Sequence, residues 1–258
     1  MHAQPRPHRQ WVAATVVVAV LIGLSAAVMS RTSRSEASEP PAQPSPTSPS
    51  TTVAEPTTPL RGAMAGLSLD ALADETLRRQ VITAANAELG RAPSPRQPFE
   101  AESVDDPFVD DALAAYTLAL GGHATGEDRY FEAAARIVDA WVSTMTSTQG
   151  ACPHSGACQT SLVLSRAAPA LVHAADLLES AGRQSDAERV RLRRWVRDVA
   201  LPAASERDNN WGDAGTYLRA VAAVELGDAE LDVKLYRRSG HRFMPRRPPE
   251  SPIHGTSS

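Results

Sequence analysis

Apolar residues recur at helical spacing through most of the chain from Leu60 onward, and strand-type alternation is scarce. Phe131, Ala134, Val138, Trp141, Val142 and Met145 fall at i, i+3, i+7, i+10, i+11 and i+14, which is one face of one helix. Glu127 and Asp128 favour the positive end of its dipole, and Gly150 lies past its end. A second helix is predicted from Asp110 to Leu120, closing at Gly121-Gly122, so that the two form a hairpin. A third, Thr160 to Ser180, contains Pro169, which should kink or split it. A fourth, Ser185 to Leu201, begins with Ser185 as N-cap and stops before Pro202. Its arginines, Arg189, Arg191, Arg193, Arg194 and Arg197, read as a solvated face, with contact to an acidic polymer as the alternative. The last runs from Asp213 to Leu226 and ends at Gly227. Helix after helix with short connections gives an all-α domain of antiparallel pairs.

The flanks are of another kind. Trp11 to Met29 carries no charge and, at about 19 residues, is just long enough to cross a bilayer as a helix. Arg6, His8 and Arg9 before it, with small residues at Ser25, Ala26 and Ala27, equally fit a secretory signal, so residues 1–34 read as a signal peptide or a signal anchor. Residues 35–60 are rich in Pro, Ser and Thr and hold too few apolar side chains to offset their ordering entropy; they read as an extended linker. The helical domain is assigned to 61–236. The tail, 237–258, has no helical period and reads as disordered, leaving the last amphipathic helix short of a packing partner, the expectation for a truncated or frame-shifted chain. The domain is thus expected outside the cytoplasmic membrane, tethered by an uncleaved segment or released after cleavage.

The formal charge of −4 understates the acidity of the folding part, because setting aside Arg6, Arg9, Arg31 and Arg34 leaves 22 basic against 30 acidic side chains. That balance offers no footprint for nucleic acid, whose affinity depends on Lys and Arg neutralising phosphates. No Gly-rich phosphate loop, serine elbow, paired zinc motif or dinucleotide fingerprint occurs, so neither a nucleotide nor another cofactor is expected. Cys152 and Cys158 are the only cysteines; in an exported chain they are expected to form a short-loop disulfide rigidifying a connection between helices. A metal site from Cys152, His154 and Cys158 would lack a fourth ligand, and none is expected.

The most unusual local sequence is Asp208-Asn209-Asn210-Trp211-Gly212-Asp213. Paired asparagines offer both donors and acceptors for a carboxylate or sugar hydroxyls, and tryptophan offers a flat face for a pyranose ring. The alternative is that one asparagine caps the following helix and Trp211 is a core anchor.

NNWGDAGTYLRAVAAVELGD resembles the Asn-Asn loop and following helix of the alginate lyase family, whose domain is an incomplete α/α toroid. DDALAAYTLALGGHATGEDRYFEAAARIVDAWV resembles the family's helical hairpin, and QTSLVLSRAAPALVHAADLLESAG its next helix, so the likeness spans roughly residues 99 to 232. The resemblance implies lysis of an acidic, uronate polysaccharide such as alginate by β-elimination. Hydrogen-bond donors neutralise the uronate carboxylate, a base removes the C5 proton, and an acid protonates the leaving glycosidic oxygen. Asn210 is then the carboxylate neutraliser, supported by Asn209, with Trp211 against the sugar. Family members often place a histidine base after the asparagine pair, where this chain has Trp211, and draw an arginine and a catalytic tyrosine from a later segment, where it has its irregular tail. Tyr217 is the catalytic acid or base that remains, against a packed role. Arg166, Gln159 and His154 are candidate substrate-binding residues, whereas His173, flanked by Leu171 and Val172, reads as a core histidine.

Two competing functions stay open. A glycoside hydrolase would need two carboxylates across the scissile bond, and Asp105, Asp106, Asp110, Asp111, Asp208 and Asp213 are the available acids. A catalytically inactive, lyase-like glycan-binding module at the cell surface would use Trp211 without a complete catalytic set.

Overall fold

The computed structural model describes residues 63–156 and 158–228. The apolar segment, the linker and the irregular tail therefore lie outside the described residues.

Eight helical segments account for the regular structure, and no strand occurs among the described residues. They are α1 (Ala63–Ala71), α2 (Glu75–Glu88), α3 (Pro107–Thr125), α4 (Asp128–Thr144), α5 (Gln159–Ser180), α6 (Asp186–Trp195), α7 (Leu201–Ala203) and α8 (Asn210–Leu226), with a π-helical turn at Val196–Ala200 joining α6 to α7. The all-α expectation holds. One isolated bridge, Phe99 to Thr148, ties the two long loops that flank the α3–α4 hairpin.

The predicted stripe on α4 is buried as expected, with Trp141 at its centre. Phe99, Phe108 and Trp141 pack edge-on with ring centroids 4.9–6.0 Å apart, the geometry that aromatic quadrupoles favour. The indole Nε1 donates to Asp111 Oδ2 at 2.9 Å, and the same oxygen accepts Ser94 N at 3.0 Å. Asp111 is thereby a satisfied core carboxylate.

In three places packing overrides a local signal in these helices. First, Gly121 and Gly122 do not end α3; the helix continues to Thr125 and stops at Gly126, whose φ of 74° is the left-handed cap. The glycine pair instead admits neighbours: a Cβ at Gly121 would collide with Ala85, and one at Gly122 with the ring of Phe131. Second, α5 runs unbroken through Pro169. A proline there costs about 3 kcal/mol in an isolated helix, but nearly every side chain from Thr160 to Leu178 is buried, and that burial outweighs it. Although α5 has the length and hydropathy of a membrane span, it is the core helix of this domain. Third, the chain does not stop before Pro202. It widens into the π turn, which carries the helical backbone on into α7 with Pro202 in its first positions.

Ser185 caps α6 as predicted, its side chain accepting Glu188 N while Glu188 reaches back to the Ser185 backbone. The arginines of that helix are not all solvated. Arg191 pairs with Asp139 at the surface, but Arg189 is 5% exposed, with Nη1 3.2 Å from Asp176 and 3.5 Å from Glu225, and it pairs with Glu179 as well. Arg193 lies 3.2 Å from the opposite oxygen of Glu225. Position on the helix decides the difference: Arg189 shares the inward face with Leu192 and Val196, whereas Arg191, Arg194 and Arg197 project outward.

Candidate active site

The Asn-Asn loop opens α8 and does not precede it at a distance. The helix begins at Asn210, three residues before the expected Asp213, because Asn209 is extended and its side-chain oxygen accepts Trp211 N at 3.0 Å. Asn209 is therefore the helix cap, and Asn210, in the first turn, is exposed.

Two glycines seat this helix. A Cβ at Gly212 would overlap the carbonyl oxygen of Arg207, and one at Gly215 that of Ser205. One turn further, buried Arg219 donates to the carbonyls of Ser205 and Ala204, both at 2.9 Å. The segment 204–209 is thus folded back along its own helix by main-chain contacts.

The disulfide loop packs on the other side of that segment. Cys152 and Cys158 are bridged, as expected. Glu206 N donates to Pro153 O at 2.8 Å, and Arg207 Nη2 donates to Cys152 O at 3.2 Å. Cys152 N in turn donates to Ser161 Oγ at the start of α5, at 2.9 Å. Arg207, which the sequence did not single out, lies over the Trp211 ring at 4.1 Å. Trp211 is partly exposed and belongs to this rim, not to the core.

Helices α5 and α8 run side by side in the same direction. Ser205 N meets Ser165 Oγ at 2.9 Å, His173 Nε2 meets Tyr217 Oη at 2.9 Å, and Arg189 joins Asp176 to Glu225, so partners advance together along both chains. Gln159, Arg166 and His173 are spaced by seven on α5, and Asn210 and Tyr217 by seven on α8, so each set stays close to one face. Counting back from the His173–Tyr217 pair puts Arg166 level with Asn210. Both are exposed, on a helix otherwise buried in the case of Arg166. Gln159 lies one row further toward the disulfide loop and is half-buried. His154 sits on that loop, exposed, with Nδ1 3.5 Å from the Glu206 carboxylate. The predicted residues therefore border one edge of the domain, with Tyr217 about 10 Å along α8 from Asn210.

Electrostatics differ between the two tyrosines at this interface. Burial pushes the Tyr217 phenol up to about 12, with the neighbouring Tyr116 adding to it. Tyr116 is also raised by burial, offset in part by its 2.8 Å hydrogen bond with Ser68. His173 is buried, as the sequence led one to expect of a core histidine, but its partner is the candidate catalytic phenol. No signal in the sequence pointed to that pair, whose members lie 44 residues apart.

Of the acids considered for a hydrolase, Asp106 and Asp111 have structural duties. Asp106 caps α3 through Phe108 N and pairs with Arg96, and Asp111 holds Trp141. Among the described residues no cluster of His, Cys, Asp and Glu has the makings of a metal site.

The alginate lyase family model matches residues 63–243. This chain belongs to the alginate lyase family. Neither the curated proteins nor the solved structures include a match to it. Membership makes it a polysaccharide lyase-like protein and places α8, with its Asn-Asn-Trp start, inside the family's matched region.

Proposed function

We propose that this protein cleaves an acidic, uronate polysaccharide such as alginate by β-elimination, with Asn210 and Tyr217 in the catalytic roles. The observation that carries the reading is the placement of both on one face of α8, beside exposed Arg166 on the parallel α5. Asn210, free of the capping duty that Asn209 discharges, donates its amide N–H groups to the uronate carboxylate and makes the C5 proton more acidic. Arg166 adds a planar cation that pairs with a carboxylate two bonds at a time. Tyr217 exchanges the C5 proton with the glycosidic oxygen. Trp211, Asn209, Gln159 and His154 line the approach of the polymer. The domain, 61–236, takes the form of an incomplete α/α toroid, held outside the cytoplasmic membrane by residues 1–34 through the 35–60 spacer, with 237–258 as a tail.

The test is ultraviolet absorbance of the new C4–C5 double bond on incubation with alginate and other uronate polymers. Asn210→Ala should lower turnover by about 10²–10³-fold and Tyr217→Phe by about 10²–10⁴-fold, with helical circular dichroism unchanged. The cation–π stack of Arg207 on Trp211 favours one second reading, a cell-surface glycan-binding module, because it makes a preformed platform for a sugar ring. Retention of polymer by a folded wild-type chain that never produces absorbance would select that module over the lyase.

A further inference from the structure

We propose that His173 is a positioning residue for Tyr217, taking up the phenolic proton on Nε2 while Tyr217 collects the C5 proton of the substrate. The proposal rests on the reading of Tyr217 given above and deepens it.

His173 Nδ1 is buried without a hydrogen-bond partner, and the charge that faces it favours one tautomer. His173 Nδ1 lies 3.9 Å from Asp176 Oδ2, on the same helix one turn away, with the two side chains 5% and 11% exposed. Asp176 is itself held by Arg189 Nη1 at 3.2 Å. A carboxylate on the Nδ1 side favours the proton there, which leaves the lone pair on Nε2 to accept the Tyr217 O–H at 2.9 Å. Tyr116 from α3 stands with its ring centroid 6.4 Å from that of His173, but its hydroxyl is engaged by Ser68. The titratable and charged groups around the imidazole are therefore Asp176 from α5, Tyr217 from α8, Tyr116 from α3 and, behind Asp176, Arg189 from α6.

This arrangement answers a difficulty in the chemistry. A phenol raised to about 12 is almost never ionised near neutrality and is a poor base alone. With His173 behind it, Tyr217 need never become a free phenolate. As Oη takes the C5 proton, the proton it held moves to Nε2, and the resulting imidazolium faces Asp176. The C5–H electron pair becomes the C4–C5 double bond while the bond from C4 to the glycosidic oxygen breaks. Tyr217 gives the collected proton to that oxygen and recovers its own from Nε2. Protons and charge balance at the end of each turnover, with no co-reactant. The order Tyr–His–Asp applies to a phenol the logic by which a carboxylate-oriented imidazole activates a hydroxyl elsewhere.

The test uses the full-length chain. His173→Gln keeps a group able to accept the phenol hydrogen bond but cannot hold the proton. It should lower kcat by about 100-fold or more with KM within about twofold, and Tyr217→Phe with His173→Gln should be no slower than Tyr217→Phe alone. Nitrogen-15 NMR of histidine-labelled protein should show His173 protonated on Nδ1 and bare on Nε2, with the Nε2 resonance moving in Tyr217→Phe. A ring protonated on Nε2 overturns the assignment even if no polysaccharide is cleaved. Full kcat in His173→Gln beside a dead Tyr217→Phe removes the role of His173 alone, whereas full kcat in Tyr217→Phe removes the reading of Tyr217 and this proposal with it.

Discussion

The α3–α4 hairpin and the α5–α6–α8 assembly share one apolar core and differ in the charges buried beside it. The hairpin joins its helices through Phe108, Ile137, Trp141 and close glycine contacts, with Asp111 a buried carboxylate that holds Trp141 on one oxygen and Arg91, at 3.3 Å, on the other. The second assembly places His173, Asp176, Arg189, Glu225, Arg219 and Tyr217 between helices that apolar residues would hold at least as well. Charges buried that way add little net stability, so the second assembly is held by more than apolar packing needs.

Trp141→Ala tests the first half and should have the largest effect. It removes the centre of the aromatic cluster and leaves Asp111 short of a donor, costing about 3–5 kcal/mol in denaturant unfolding. A loss under about 1 kcal/mol would mean the hairpin is not the stable half. Glu225→Ala, next in size, strips Arg189 and Arg193 of a shared partner; because Arg189 keeps Asp176, the loss should lie near the low end of the range for a broken buried pair, about 3 kcal/mol.

The alkaline limb of stability reads a buried phenol in each half, the larger shift being that of Tyr217. A phenol whose pKa rises on folding is more easily ionised in the unfolded chain, so its contribution is intact below about 10 and is lost as pH climbs toward about 12. Chemical unfolding over that window should show a loss to which Tyr217 contributes on the order of 2 kcal/mol; Tyr217→Phe removes that part and leaves the part due to Tyr116 of α3, whose phenol burial also raises. The smallest effect belongs to Ser185→Ala, which breaks the capping box of α6 at a cost of about 1 kcal/mol without altering turnover.

What the sequence disclosed follows the same division. The α4 stripe, the Ser185 cap and the disulfide were legible because each depends on residues near in sequence. Gly121-Gly122 and Pro169 misled because their meaning is set by what packs on them: Ala85 and Phe131 for the pair, and a fully surrounding core for the proline. At the site, Asn209, Asn210 and Trp211 stood out through composition, and the capping alternative for Asn209 was visible in advance. Arg207 and the His173–Tyr217 pair were not, since they form only when distant segments meet. Burial of Arg189 was hidden for a related reason: an arginine-rich helix looks polar all round until the acids opposite are known.

The seating of α8 on the carbonyls of Ser205 and Arg207 has a practical bearing on redesign. Because Gly212 and Gly215 meet main-chain atoms there, part of the placement of the loop is indifferent to which side chains it carries. An exposed position such as Asp208 can be varied in a library for new polymer preferences while the scaffold stays in register, with Asn210 kept for the proposed chemistry and Glu206 for its ion pair with Arg219. The two glycines must stay as they are.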